Sequence, residues 1–214
     1  DRSPSRGLGD VYKRQLIRES LSKPAYKEKL RLRSYGVPDM DSKVFLEIKK
    51  KYRGLVNKRR TTLELGEAYD FIETGVKPEL QDYMNGQVLN ELEYCLNLYD
   101  LEPKVYIAYD RLAYFEKGND DLRISFDTNI RTRRSDLLLE SGDHGKRLLN
   151  SDVWLMEIKT SLAKPLWLCE MLSEFEIRSS SFSKYGTEYK NMMARQKEIP
   201  KQKIFVFGNQ KQAV

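Results

Sequence analysis

The feature that most limits the fold of this chain is a period-two alternation of charged and apolar side chains, repeated in stretch after stretch. In 27–36, Lys29, Arg31 and Arg33 alternate with Leu30 and Leu32. A period of two puts the two sets on opposite faces of an extended strand. In 43–52, Glu47 and Lys49 oppose Leu46 and Ile48. In 122–127, Arg123, Ser125 and Asp127 oppose Leu122, Ile124 and Phe126. In 153–161, Glu157 and Lys159 oppose Met156 and Ile158. Two stretches are less regular. Lys58 and Arg60 share a face while Arg59 opposes them, and Arg111 shares its face with Ile107 and Tyr109. Such a chain needs a sheet with one face on a core and the other carrying charge.

Turn signals join these strands. Arg53-Gly54 links the second and third into a hairpin, and the segment 116–121 is a turn between two more strands. Helical spacing marks 64–74, which ends at Gly75, and Lys77 to Tyr99, where Leu80, Tyr83, Met84, Val88, Leu92, Cys95 and Leu96 recur. Gly86 weakens that second helix by about 1 kcal/mol against Ala. A further helix opens at Pro165 and runs to Ile177, and its Leu166, Trp167, Cys169, Met171 and Leu172 are expected to cover the apolar outside of the sheet. Trp154 and Trp167 are read as core, and Cys95 and Cys169 as small buried apolar residues. A loop over 179–188 leads to a short last helix reaching Arg195. Helices interrupt the strands rather than alternate with them, so the class is α+β. Residues 1–15 lack either period and read as a non-native tail. The domain is expected over 16–195, with a C-terminal tail over 196–214.

Composition narrows the function classes. The chain has 214 residues, a formal net charge of +6 and 40% hydrophobic residues, enough for a core. No apolar run approaches the roughly 18 residues of a membrane span, and the first fifteen residues hold no signal peptide. This points to a cytoplasmic protein. Two cysteines offer neither a disulfide framework nor metal-ligand spacing, and the single His144, in a turn-rich loop, leaves little for a histidine-based triad.

The charged strand face is not an ordinary solvated face. It carries nine basic residues (Lys29, Arg31, Arg33, Lys49, Lys58, Arg60, Arg111, Arg123 and Lys159) against three acids, Glu47, Asp127 and Glu157. The whole chain runs 38 to 32. An arginine fork pairs with two phosphate oxygens at once. Displayed on an open sheet, the face suits solvent or nucleic acid. Enclosed in a barrel, its like charges repel by about 4 kcal/mol per pair at about 4 Å and an effective dielectric of 20. A barrel then implies a ligand with several negative charges in a row. The Glu-Ile-Lys at 47–49 and again at 157–159 puts an acid beside a base on one face, either as a wet ion pair or to hold a divalent metal next to a phosphate.

Six segments, in order, carry a resemblance: KEKLRLRSYG (27–36), VFLEIKKKYRGLVNKRR (44–60), YDRLAYF (109–115), LRISFDTNIRTR (122–133), LMEIKTSLAKPLWL (155–168) and SSSFSKYGTEY (179–189). Together they resemble the VTC domain, the polyphosphate polymerase domain of the vacuolar transporter chaperone family in its bacterial type, within the CYTH-like triphosphate tunnel superfamily. The resemblance implies an antiparallel β-barrel with helices packed outside and a tunnel that binds ATP phosphates and growing inorganic polyphosphate. It implies Mn²⁺ or Mg²⁺ as cofactor. It implies catalytic roles for Arg31, Arg33, Lys49, Arg111, Arg123 and Lys159, phosphate binding by Lys29, Lys58, Arg60 and Lys184, and metal ligation by Glu157. A membrane protein partner is compatible with it. The family's first two strands have no counterpart here, so the barrel is expected to lack its N-terminal strands, which leaves open edges and an incomplete phosphate site and puts the activity of this fragment in question.

Three readings follow. The first is an enzyme that transfers the ATP γ-phosphate to polyphosphate. The second is a tunnel triphosphatase with water as acceptor, which favours more acids than this face offers. The third is a polyphosphate-binding module without turnover. A nucleic-acid-binding sheet is disfavoured, because the aromatic residues fall mostly on helices or on the apolar face.

Overall fold

The alternating stretches fold into antiparallel strands, and the computed structural model describes residues 5–11, 25–99, 101–161 and 163–198. In chain order these form β1 (Ser5–Val11), β2 (Tyr26–Tyr35), β3 (Lys43–Tyr52), β4 (Leu55–Glu64), α1 (Leu65–Thr74) and α2 (Gly86–Leu98). Then come β5 (Pro103–Glu116), β6 (Asn119–Arg133), β7 (Lys146–Arg147), β8 (Leu155–Lys159), α3 (Leu166–Glu174) and α4 (Lys184–Glu198). The sheet runs β4-β3-β2-β1-β5-β6-β7, with β8 also on β6. Ser5–Val11, inside the stretch read as a tail, is the strand that joins β2 to β5. Residues 1–4 and 12–15 of that stretch, and the chain from 199 on, lie outside the described residues.

The expected closed barrel does not form among the described residues. No pairing joins β4 to β8, the strands at the two ends of the sheet. Both edges are charged. Lys58 and Arg60 lie on one edge strand and Lys159 on the other, and charged edges resist pairing.

The β3–β4 hairpin turns on Arg53 and Gly54, both at positive φ (44° and 93°), with Tyr52 opposite Leu55. Two consecutive residues at positive φ are what a tight two-residue hairpin needs. The Glu64 backbone N–H donates to the Glu67 carboxylate at 2.9 Å in a capping box that opens α1, and Gly75 closes the helix at φ 71°. The second helix starts nine residues later than its spacing suggests. Asn85 is its cap, accepting from the Val88 N–H at 3.1 Å, so Gly86 is its first residue and not an interior weak point. Leu80 and Tyr83 are exposed ahead of it.

Two apolar clusters hold the sheet. Leu30, Leu32, Val44, Leu46, Ile48 and Leu63 pack on one face beneath Ala68 and Phe71 of α1 and Val88, Leu89 and Leu92 of α2. On the opposite, charged face, Val105, Ile107, Tyr109 and Ile130 pack with Tyr185 of α4. The last helix therefore lies on the inside of the sheet, correcting the expectation that helices stay outside. Ile107 and Tyr109, the apolar residues that broke the alternation in β5, are what it covers. Arg59, which broke the alternation in β4, turns to the outer face and pairs with Glu91 of α2.

A bulge sets the aim of β6. Ala108 pairs with Arg131 and Asp110 with Thr128, so β6 spends one residue more than β5. Asn129 takes the strain at φ 49° and donates from Nδ2 to Asp110 Oδ2 at 3.0 Å. Beyond it the faces exchange. Ile130 turns toward α4, while the Arg133 guanidinium stacks over Tyr106, 3.5 Å from the ring centroid.

The helix α3 does not cover the outside of the sheet as expected. Only Leu168 is buried there, while Leu166, Trp167, Met171 and Cys169 are exposed. Trp154 is also exposed, so neither tryptophan is core. Cys95 is buried as expected, and burial pushes its thiol up to about 12. His144 lies exposed in its loop. No helix among the described residues is long and apolar enough to cross a membrane.

Candidate active site

Strand register builds the site. Lys29 lies opposite Lys49, and Lys49 opposite Lys58, so three lysines form one row across β2, β3 and β4. The next row is Arg31, Glu47 and Arg60, and the one after it Arg33, Phe45 and Thr62. Like charges placed directly opposite destabilise a sheet, so this arrangement needs anions.

One such anion is built in. Glu47 is 2% exposed, and Arg31 Nε donates to its Oε2 at 2.7 Å. Arg33 Nη2 and Lys58 Nζ approach its Oε1 at 3.1 and 3.3 Å. Burial alone would raise this carboxyl, but the Arg31 and Arg33 charges hold it below the usual carboxylate range. Burial lowers the Lys58 ammonium, and the two arginines add to that against the pull of Glu47. Lys49 meets no carboxylate within 4 Å among the described side chains.

The other wall has its own buried acid. Asp127 on β6 accepts from Arg111 Nε at 2.5 Å and from Arg111 Nη2 at 2.7 Å, a bidentate pair with β5. Lys184, on the first turn of α4, donates to the same carboxylate at 2.5 Å. Its ammonium also lies 4.4 Å from the Tyr109 ring centroid. Burial would raise Asp127, and Arg111 and Lys184 overcome that to hold it low. The hydrogen bond to Asp127 in turn raises Arg111. Ser183 starts the helix, its Oγ accepting from the Gly186 N–H at 3.1 Å. Lys29 reaches across to the Tyr185 ring, 5.7 Å from its centroid.

Between these walls lies a cleft of about 520 Å³. Among the described residues, Lys29, Arg31, Arg33, Lys49, Lys58, Arg111, Lys159 and Lys184 line it against Glu47 and Glu157 as acids. Val56 and Lys58 of β4 share this lining with Glu157 and Lys159 of β8, so the sheet curls until its two ends face one cavity. Glu157 is half-exposed, with Lys159 Nζ at 3.3 Å and Arg111 Nη2 at 3.8 Å.

A family model for the VTC domain matches residues 10–193. The chain belongs to the VTC domain family. A search of the curated proteins finds no match. Among solved structures, a candidate adenylate cyclase from Bacillus halodurans is similar at 13% identity, over 85% of this chain and 79% of that one, with a TM-score of 0.47.

In this VTC domain most of the residues singled out in the sequence converge on the cleft. Two do not line it. Arg60 stacks beside it on Phe45, 5.0 Å from the ring centroid, on the ring that Arg33 also covers at 5.5 Å. Arg123 lies opposite Lys159 and over Phe115, 5.1 Å from its centroid. The Nε atoms of Arg33 and Arg123 are buried without an acceptor among the described residues. Sequence reasoning placed Glu47 and Asp127 on this face but did not see them as the counter-charges of its two walls. Their parity was the available signal, and the register that selects their partners was not.

The acids also decide how a divalent cation fits. No group of three or more His, Cys, Asp or Glu side chains is placed to hold a metal among the described residues. Asp127 has both oxygens hydrogen-bonded to cations, while Glu47 is buried with three cations around it, its Oε1 in ion-pair range of Arg33 and Lys58 but without a hydrogen bond among the described residues. Glu157 alone offers a half-exposed carboxylate at the cleft. That suits a cation carrying water and substrate phosphates, held by one protein carboxylate, rather than one held in a protein cage.

Proposed function

We propose that this VTC domain transfers the γ-phosphoryl group of ATP to the end of an inorganic polyphosphate chain. The observation that carries the reading is the lysine row Lys29-Lys49-Lys58 facing a cleft with eight basic side chains and two acids. Glu47, Asp127 and Glu157 offset part of this charge, and a ligand with several adjacent negative charges offsets the rest.

The chemistry suits this inventory. A terminal phosphate oxygen, already ionised near neutral pH, attacks the γ-phosphorus as the bond from that phosphorus to the β,γ-bridging oxygen breaks, and ADP departs with the electron pair. No general base is needed. The chain's own contribution is alignment and charge stabilisation. The lysine row and Arg31 bind one set of phosphates from the β2–β4 wall. Arg111, Lys159 and Lys184 bind from the other, so attacking and leaving oxygens lie in line between the walls. Arg33 and Arg60, stacked on Phe45, and Arg123, on Phe115, hold their guanidinium planes at fixed angles beside the path. Glu157 would hold Mn²⁺ or Mg²⁺, which when bound supplies positive charge to the phosphate oxygens.

The test is incubation with ATP and Mn²⁺ or Mg²⁺, with phosphate products resolved by gel. A ladder of polyphosphate with ADP is expected. Free phosphate alone replaces this reading with a triphosphatase. Tripolyphosphate binding without turnover replaces it with a binding module.

A further inference from the structure

We infer that Glu188 is a positioning residue for the cleft: through its ion pair with Arg134 it sets the register of α4 on the sheet and so holds Lys184 at the phosphate site. The inference rests on the phosphate-binding reading above and deepens it.

Lys184 and Glu188 lie one turn apart and share a face of α4. Each makes an ion pair with the β6 segment, and the two pairs have opposite polarity. Lys184 donates to Asp127 at 2.5 Å. Glu188, 8% exposed, accepts from Arg134 Nε at 2.8 Å on Oε1 and from Arg134 Nη2 at 2.5 Å on Oε2. Arg134 directly follows β6, and its Nη1 donates to the Lys104 carbonyl of β5 at 3.4 Å, so the pair ties α4 to both strands. Neither Arg134 nor Glu188 is among the residues lining the cleft, so the pair acts on a ligand there only through what it holds in place.

Lys184 needs such an anchor because its own helix does not favour it. A cation in the first turn meets the positive end of the helix dipole, and a lysine placed before a glutamate gains less than the reverse order. Phe182, Tyr185 and Tyr189 pack α4 against the sheet, but apolar contacts are not directional and fix register weakly. The ion pairs fix it strongly. A slide of one turn that put Glu188 in the place of Lys184 would set its carboxylate against buried Asp127 and leave Arg134 without its partner. A phosphate chain in the cleft competes with Asp127 for the Lys184 ammonium. The Glu188–Arg134 pair stands outside that competition, so it holds the helix while Lys184 changes partner.

The experiment is a double-mutant cycle read by calorimetry of tripolyphosphate binding, without metal, in wild type, Lys184→Ala, Glu188→Gln and the double variant. Lys184→Ala weakens binding about tenfold or more, through the loss of a charge-assisted hydrogen bond. Glu188→Gln alone weakens it by about threefold to tenfold, but by less than about twofold when Lys184 is already substituted, because its effect passes through Lys184. If Glu188→Gln does not fold, the same cycle with Glu188→Asp, which keeps the charge and withdraws it by one methylene, decides. A folded Glu188 variant that binds as wild type, or that weakens binding by the same factor with and without Lys184, overturns the inference and leaves the ion pair a structural clamp. Wild-type protein that binds no tripolyphosphate overturns the phosphate reading itself, and a Lys184→Ala variant that binds as wild type removes Lys184 from the site; either result takes this inference with it.

Discussion

Asp127 is the joint on which the inner helix and the β5–β6 wall depend, and Asp127→Asn tests that directly. The side chain is 2% exposed and neutralises Arg111 and Lys184, themselves 14% and 17% exposed. Asparagine keeps nearly the same shape and one acceptor oxygen but removes the charge. Breaking a buried pair by neutralising one partner costs about 3–5 kcal/mol, because the remaining charge stays buried without compensation. For a domain of this size each kcal/mol moves Tm by about 2–4 °C, so the variant should melt at least about 6 °C below wild type. At a fixed concentration about 100 times the wild-type Kd, tripolyphosphate stabilises the wild-type protein by about 2.7 kcal/mol. In the variant it should recover more than that, since it supplies the counter-charge that was removed. The assay is thermal unfolding by circular dichroism, with and without tripolyphosphate. A fall in Tm of under about 3 °C, or an anion-induced rise no larger than in wild type, would refute the argument that Asp127 neutralises this wall.

The same pair of acids sets the response to pH. Glu47 and Asp127 are both held below their ordinary values, so the unfolded chain binds protons first as pH falls. Their contribution is fully present above about pH 5 and drains away below about pH 4 as pH falls through their folded values. Urea midpoints measured from pH 7 to pH 3 should show that fall, and a flat profile counts against it. Glu157→Gln should abolish metal-dependent turnover while moving Tm by less than about 2 °C, since its half-exposed ion pairs are worth about 1 kcal/mol or less. An unchanged rate removes it from the site. At the β6 bulge, Asn129→Gly should be nearly neutral, while Asn129→Val should cost about 1–3 kcal/mol because a β-branched residue resists φ 49°. Equal stability of the two variants by urea unfolding would show that the bulge does not depend on that conformation.

The alternation of β2 and β3 was legible because a strand has only two faces, and one apolar face committed the other to the cleft. Leu30, Leu32, Leu46 and Ile48 are buried as their spacing requires, and Lys29, Arg31, Arg33 and Lys49 line the cleft. The hairpin at Arg53-Gly54 was legible for a similarly local reason, since glycine takes positive φ without a Cβ clash. The start of α2 was not, because Leu80, Tyr83 and Met84 extend the helical spacing upstream of Asn85. There, a side-chain cap and a bond from the Asn85 N–H to Thr61 Oγ1 at 2.9 Å prevail over the pattern. The exposure of Trp154 and Trp167 also ran against expectation. An apolar side chain records a preference for burial but does not name the surface that buries it.

By itself the sequence determined which side chains share a strand face, since pleat and alternation are properties of a few consecutive residues. It determined that one face would be basic out of proportion to the chain, and its motif order pointed to the family. Only the tertiary structure decided that Lys29, Lys49 and Lys58 stand in one row. It alone showed that α4 enters the charged face to bring Lys184 to Asp127, and that β4 and β8 curl toward one cavity without pairing. These depend on register, on a one-residue bulge at Asn129 and on long-range packing. Each is chosen by the balance of many distant contacts, so none has a signature in local spacing.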